Sequence, residues 1–275
     1  MLPVKPKISI VIPLFNREEI LTTLELNKNS FSNKEVEIIV VDCKSKNGLA
    51  NRIARLDIAK LRVISLPVQE FNKALALNVG TYLSRGEFVF FLDADIVLNR
   101  SFLSQALHKV QNTRFITVKH VEESEPTAKS KFSTSCLSEL AFVTEFLDKK
   151  GNRARVETNR IHFQSNSRGG PGLVILAKKK FLNISGMNSN LKGWGWEDID
   201  LLIRLQLRLA LHHVRWGKVI HLSHNDSVRY FNGSSRSESE MKNYIRCLAN
   251  YHVGNFLGTY RNDLAQWKNK IKVIK

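Results

Sequence analysis

Over its first third the chain alternates apolar runs with amphipathic segments. Residues 7–13 (KISIVIP) form a β-rich apolar run closed by proline, which predicts a first strand. A loop follows, and residues 18–26 then space Ile20, Leu21, Leu24 and Leu26 along one helical face, with acids in the first turn. Residues 35–42 predict a second strand ending at Asp42. Asn47-Gly48 punctuates, and a helix carries Leu49, Ile53, Ala54 and Leu56. Residues 61–67 predict a third strand, 71–83 a helix, and 88–92 a fourth strand. Strands alternating with helices predict βαβ units and a mostly parallel sheet, hence an α/β fold. Ligands of such sheets bind beyond the carboxyl ends of the strands.

The pattern is less regular afterwards. Residues 101–110 predict a helix with Ser101 as N-cap, and 114–118 a strand. Between His120 and Ser167 the alternation lapses into polar loops, a helix expected over 137–147 and a basic turn at 149–153. A strand is expected at 173–176 after Gly169-Gly170-Pro171-Gly172, and a short helix at 178–182, ended by Gly186. A helix with Leu201, Leu202, Leu205 and Leu207 follows, then a strand at 216–220 and a helical pattern from 237 to 270. The tail, 267–275, is basic and amphipathic. It reads either as a solvated terminus or as a foot on an anionic membrane.

Composition changes this picture little. The 275 residues are 43% hydrophobic, as in a soluble globular protein, and no apolar run is long enough to span a bilayer. The N-terminus lacks a signal-peptide pattern, and Cys43, Cys136 and Cys247 form no metal or disulfide framework. A reducing, cytoplasmic location is therefore expected. The net charge of +17 admits nucleic acid, an anionic membrane or phosphorylated ligands as partners. No nucleic-acid-binding signature accompanies it, so no nucleic-acid partner is expected.

Two constellations carry chemistry. The fourth strand runs into Asp93-Ala94-Asp95. On an extended chain the two carboxylates share a face, and two hard oxygen ligands suit Mg²⁺ or Mn²⁺ holding a diphosphate. No glycine-rich phosphate loop is present, so a metal would have to take that part. The second constellation is Gly193-Trp194-Gly195-Trp196-Glu197-Asp198-Ile199-Asp200. The helix dipole accounts for its acids, but not for tryptophans set between glycines. Aromatic faces stack on sugars, and a carboxylate beside a sugar can act as general base. His221 or His224, after the 216–220 strand, would complete the metal site; His212 and His213 are not expected to.

Together these residues resemble inverting, nucleotide-sugar-dependent glycosyltransferases of family 2, with the GT-A fold, over residues 7 to 225. That fold is a Rossmann-like nucleotide-binding sheet fused to a smaller acceptor-binding part. The resemblance implies a UDP-sugar-binding half (1–100), an acceptor-binding and catalytic half (101–230) and a helical basic tail (231–275). Pro13, Phe15, Asn16 and Arg17 resemble the opening loop that meets the nucleotide base, and Asp42 the second base-contacting strand. Asp93-Ala94-Asp95 resembles the DxD motif, which implies Asp93 and Ala94 at the donor and Asp93, Asp95 and His221 or His224 at Mn²⁺ or Mg²⁺. The segment 71–80, with Asn72 and Asn78, is similar to one preceding DxD in galactosyltransferases and chondroitin-type polymerases, and implies donor contacts. Residues 193–200 resemble their Trp-Gly-Gly-Glu-Asp motif, with Trp196 in place of the second glycine. This implies Asp198 as catalytic base, Glu197 on sugar hydroxyls, and Trp194, Gly195 and Trp196 at the acceptor. The implied partners are a UDP-sugar, with galactose or N-acetylgalactosamine favoured, and an oligosaccharide or lipid-linked glycan, in surface-polysaccharide or glycolipid assembly at the inner membrane face. A sugar nucleotidyltransferase and a non-catalytic nucleotide-sugar-binding module are the alternative readings.

Overall fold

A computed structural model describes residues 5–125, 136–224, 233 and 235–275. Part of the expected polar-loop region (126–135) and the 230/231 boundary lie outside the described residues. The N-terminal half follows the expected alternation: β1 (Ile8–Leu14), α1 (Glu19–Leu26), α2 (Lys28–Phe31), β2 (Val36–Asp42), α3 (Leu49–Ala54), β3 (Leu61–Ser65), α4 (Lys73–Leu83) and β4 (Phe88–Phe91). These four strands are parallel, and every residue of β1, β2 and β4 is buried, as in a sheet covered on both faces. Ile8, Ile10, Ile12 and Leu14 pack with Ile20, Leu24 and Ile53 on one side. Val11, Ile39 and Val41 pack with Leu77 and Val79 of α4 on the other.

The chain continues through β5 (Ile96–Leu98), α5 (Phe102–Lys109), β6 (Arg114–Glu123), β7 (Glu139–Leu147), β8 (Arg153–His162), β9 (Ser167–Ala177), α6 (Lys178–Asn183), α7 (Glu197–Leu209), β10 (His212–His221), α8 (Arg236–His252), α9 (Tyr260–Trp267) and β11 (Lys272–Val273). The sheet order is β11-β3-β2-β1-β4-β9-β6-β10-β5, with β7 and β8 as a hairpin joined to β9. β9 lies antiparallel to β4 and β6, so the parallel half passes into a mixed half beside β4.

Several expectations change. Residues 137–147 contain strand β7, not a helix; Phe142, Val143, Thr144 and Phe146 favour extended backbone, and β8 supplies the ladder. Gly169 to Gly172 belong to β9, whose register with β6 shifts around them. β10 begins at His212, four residues before the expected strand. Ser101 precedes α5 without capping it. Its backbone is already helical (φ −93°, ψ −4°), and its hydroxyl donates to Asn99 Oδ1. The C-terminal helix breaks at 253–259, where a Cβ on Gly258 would lie 2.3–2.5 Å from the carbonyl oxygens of residues 185–187. The tail is neither frayed nor free: β11 pairs antiparallel with β3, and Val63 N donates to Lys275 O at 3.0 Å.

Asn78 requires a further correction. It is fully buried within α4. Its amide donates to Met187 O (3.1 Å) and Asp263 (2.7 Å) and accepts from Met187 N (2.9 Å). It braces α4 against α9 instead of reaching a nucleotide. Replacing it leaves the buried Met187 amide without its acceptor and takes one donor from the Asp263 carboxylate, which keeps the Ser189 and Thr259 hydroxyls, at a cost of about 1–3 kcal/mol. Asn78→Leu is expected to lower the urea midpoint accordingly while leaving UDP affinity intact, and calorimetric titration of the folded variant checks the second point.

Candidate active site

The carboxyl ends of β1 and β4, the strand β9 and the N-terminus of α7 enclose a crevice of about 600 Å³. Pro13, Phe15, Arg17, Asp93, Ala94, Asp95, Gly193 to Asp198, His221 and His224 all line it. Residues far apart in the chain meet here because parallel strands deliver their ends to one edge.

On one wall Asp95, His221 and His224 place one ligand atom each within 4.8 Å of one another. His221 Nδ1 lies 2.7 Å from Glu123 Oε2, which turns Nε2 toward Asp95 at 3.4 Å. His224 Nε2 lies 3.1 Å from Asp95 Oδ2. Two imidazoles and a carboxylate, one imidazole oriented by an outer carboxylate, suit a divalent cation. Both candidate histidines join the group, whereas Asp93 does not. The strand ends at Phe91 and residues 94–95 turn, so the two-residue periodicity that would aim both aspartates alike is lost. Burial alone would raise the Asp95 pKa, but hydrogen bonds from both histidines and the Arg17 charge hold it well below the carboxylate range. Arg17 Nη1 is itself buried, 3.9 Å from Asp95 and without a hydrogen-bond partner among the described residues.

Asp93 faces Lys73. The ammonium lies 3.1 Å from Asp93 Oδ1 and 3.0 Å from Asp198 Oδ2, linking the β4 and α7 sides of the crevice. Burial works against the lysine charge, but Asp198, Asp93 and Glu197 outweigh it and raise the pKa. Burial raises Asp198, opposed by Lys73. Burial, then the Asp198 charge, pushes Glu197 up to about 7; its Oε2 is buried with no hydrogen-bond partner among the described residues. Gly172 leaves room for this arrangement, since a Cβ there would lie 2.3 Å from Asp198 Oδ2. Asp200, the third acid of the turn, is structural: it binds buried Arg204 at 2.8 Å and accepts from the Tyr251 hydroxyl at 2.8 Å.

The tryptophan loop is held by α8. Trp194 N donates to Ser239 Oγ, whose hydroxyl donates to Trp194 O, and Asn243 Nδ2 donates to Gly195 O. Trp196 has a left-handed backbone (φ 69°) and packs on Tyr244. The Arg236 guanidinium covers the Trp194 ring at 4.1 Å.

Besides Asn78, three expected donor contacts do not line this crevice. Asn16 Oδ1 accepts from Lys46 N, Asp42 accepts from Ser45 N, and Asn72 caps α4 through Leu75 N while donating to Ser189 O. They brace the loops around the site. Lys73, Glu123 and Gly172 were missed. Lys73 stands beside a helix cap in the segment that carries the resemblance, and Gly172 in a glycine cluster. Glu123 leaves no signal, because only strand register brings it to His221.

The model of glycosyl transferase family 2 matches residues 9–168, more than half of the chain, and that of the N-terminal domain of galactosyltransferase matches 152–225. The chain belongs to glycosyltransferase family 2. An uncharacterised glycosyltransferase of Haemophilus influenzae is 27% identical over 203 residues, 72% of this chain and 61% of its own. The amylovoran biosynthesis glycosyltransferase AmsB of Erwinia amylovora is 36% identical over 108 residues, 38% of this chain and 35% of its own. The chain thus spans at most about three fifths of these two relatives. The crystal structure of S. aureus TarS 1–349 with UDP-GlcNAc superposes with a TM-score of 0.55 at 15% identity, covering 94% of this chain and 72% of that one. The fold is GT-A.

The carboxylate–imidazole wall has a pH signature. Burial disfavours the charge on His221, but Asp95 and Glu123 outweigh it and raise the pKa to about 9. An unfolded histidine titrates near ~6.5, so this stabilisation is complete below that pH and is lost as pH rises through about 9. Asp95, depressed, acts in the opposite sense: its contribution is present above ~4 and is lost in acid. The metal-free protein is therefore expected to lose on the order of 2–3 kcal/mol between pH 6.5 and 9 from this group. Scanning calorimetry of wild type and His221→Gln checks it; an equal alkaline decline in both would contradict the assignment.

Proposed function

We propose that this chain is a metal-dependent inverting glycosyltransferase. It moves a hexose or N-acetylhexosamine from a UDP-sugar to a hydroxyl of a glycan acceptor. The observation that carries this reading is the position of Asp198 in the same crevice as the Asp95, His221 and His224 group, with Lys73 between Asp198 and Asp93. The match to the galactosyltransferase domain supports galactose or N-acetylgalactosamine as the sugar. TarS, crystallised with UDP-GlcNAc and with UDP, supports a UDP-sugar donor and makes GlcNAc the competing choice.

Asp95, His221 and His224 would hold a divalent cation, Mn²⁺ or Mg²⁺, and it would supply charge neutralisation at the leaving diphosphate. Arg17 Nη1, 3.9 Å from Asp95 and without a hydrogen-bond partner among the described residues, adds a fixed positive charge on the same side. Asp93, on Lys73, faces the donor ribose. Glu197, whose buried Oε2 lacks a hydrogen-bond partner among the described residues, accepts a hydroxyl of a bound sugar. Lys73 opposes the burial that raises the Asp198 pKa. Asp198 takes the proton of the acceptor hydroxyl as that oxygen bonds to the anomeric carbon. The bond from that carbon to the diphosphate oxygen breaks on the opposite face, and its electron pair leaves with UDP. A surface polysaccharide or lipid-linked glycan, met at the inner membrane face, is the acceptor class this reading favours. No helix among the described residues is long and apolar enough to cross a membrane.

Incubation with a panel of UDP-sugars and Mn²⁺ tests the proposal. The expected result is UDP release confined to one donor and dependent on acceptor; pyrophosphate release would mark a nucleotidyltransferase instead. General-base assistance is worth ~10²–10⁴-fold, so Asp198→Asn is expected to lose turnover on that scale while retaining UDP affinity. Wild-type turnover in that variant would refute the base assignment.

A further inference from the structure

The β7–β8 hairpin stands off the main path of the sheet and is apolar where it meets solvent. Leu140, Phe142, Val143 and Leu147 are 39%, 55%, 42% and 65% exposed. β7 pairs with β8 alone, so its other edge carries no strand among the described residues. The hairpin is nonetheless anchored: Ala154 and Val156 of β8 are fully buried, and Phe146 meets Tyr251 of α8 edge-on at 5.5 Å. An anchored hairpin with this much exposed apolar side chain marks an interaction surface.

Its turn is cationic. Asp148 is the one acid between residues 147 and 155, against Lys149, Lys150, Arg153 and Arg155. The Asp148 carboxylate closes the turn, accepting from Lys150 N, Asn152 N and Asn152 Nδ2 at 2.8 Å each. The four basic residues are all exposed, beside Leu147. Thr158 and Asn159 of β8 line the crevice and Asn159 pairs with Phe142, so the Phe142 end of the hairpin lies beside the active site and the basic turn at the far end of the strands.

We propose that this hairpin is the membrane-docking element of the protein and that its occupant is an anionic lipid surface. Charge complementarity selects the lipid over a second copy: two chains of net charge +17 repel each other, whereas basic residues are drawn to anionic headgroups. Apolar side chains flanked by lysine and arginine suit the headgroup–acyl boundary. The outer edge of β7, which meets no strand among the described residues, keeps the contact shallow, because its amides and carbonyls need water or headgroups. The basic tail is held at the sheet edge as β11, paired with β3. The inference rests on the reading above only for the lipid-linked acceptor that docking would bring to the crevice.

Co-sedimentation with vesicles tests it without an activity assay. Wild type is expected to partition onto phosphatidylglycerol–phosphatidylcholine vesicles, far less onto phosphatidylcholine alone, and less at high salt. Phe142→Ser with Leu147→Ser, and Lys149→Glu with Lys150→Glu, are each expected to weaken partitioning at least tenfold with unchanged melting temperature. Absence of wild-type binding, or wild-type binding by both variants, overturns the proposal. So does a dimer at sedimentation equilibrium that Phe142→Ser with Leu147→Ser disperses, since the occupant is then a second copy. UDP release with a soluble acceptor is read separately. Variants that lose vesicles and keep turnover support this face, and vesicle binding without turnover in wild type removes the catalytic reading alone.

Discussion

A single ammonium group holds the site together. Asp93, Glu197 and Asp198 approach one another in a crevice that excludes much of the water that would screen them, and like charges so placed favour protonation. Lys73 offsets this by contacting Asp93 and Asp198 from the first residue of α4. Its position follows from its neighbour. Asn72 caps α4 and is tied to Ser189, so the helix starts at a set point and aims its first side chain into the crevice. The carboxylates differ accordingly: burial raises Asp198 against the opposing Lys73 charge, Glu197 is pushed up to about 7, and the histidines hold Asp95 low on the other wall.

The remaining architecture brings the two walls to one edge. Parallel β1 and β4 end at the crevice, and antiparallel β9 carries Gly172 past Asp198 with no room for a side chain. β10 ends at His221, parallel to β6, whose register sets Glu123 beside it. The tryptophan loop is clamped by α8, and the first turn of α7 by the buried Asp200–Arg204 pair. A mobile substrate would therefore meet prepositioned carboxylates on rigid elements, the condition under which electrostatic and general-base effects are largest.

The legible parts of the sequence were those with local causes. The βαβ alternation, the apolar spacing of α4 and α7 and the acids that follow β4 each record a periodicity or a strand end. The acid-rich turn with its flanking tryptophans stood out because the helix dipole could explain only half of it. What escaped notice depends on long-range placement. The hairpin strand β7 reads as helix from its own spacing and becomes a strand only through β8. Asn78 belongs to the same recognisable segment as Lys73. One is buried against Met187 and Asp263 and the other faces the crevice, a difference set by helix orientation and not by residue type. The aspartates at 93 and 95 appeared to share one target, and a turn after Phe91 separates them.

The central claim is that base and leaving group occupy opposite sides of the transferred sugar, Asp198 on one wall and the Asp95, His221 and His224 group on the other. Proton NMR of the anomeric centre in the product tests this most directly. From an α-linked UDP-sugar the account requires a β-linked product formed in a single displacement. An α-linked product would mean that configuration is retained, and Asp198 would then not act as the base proposed here.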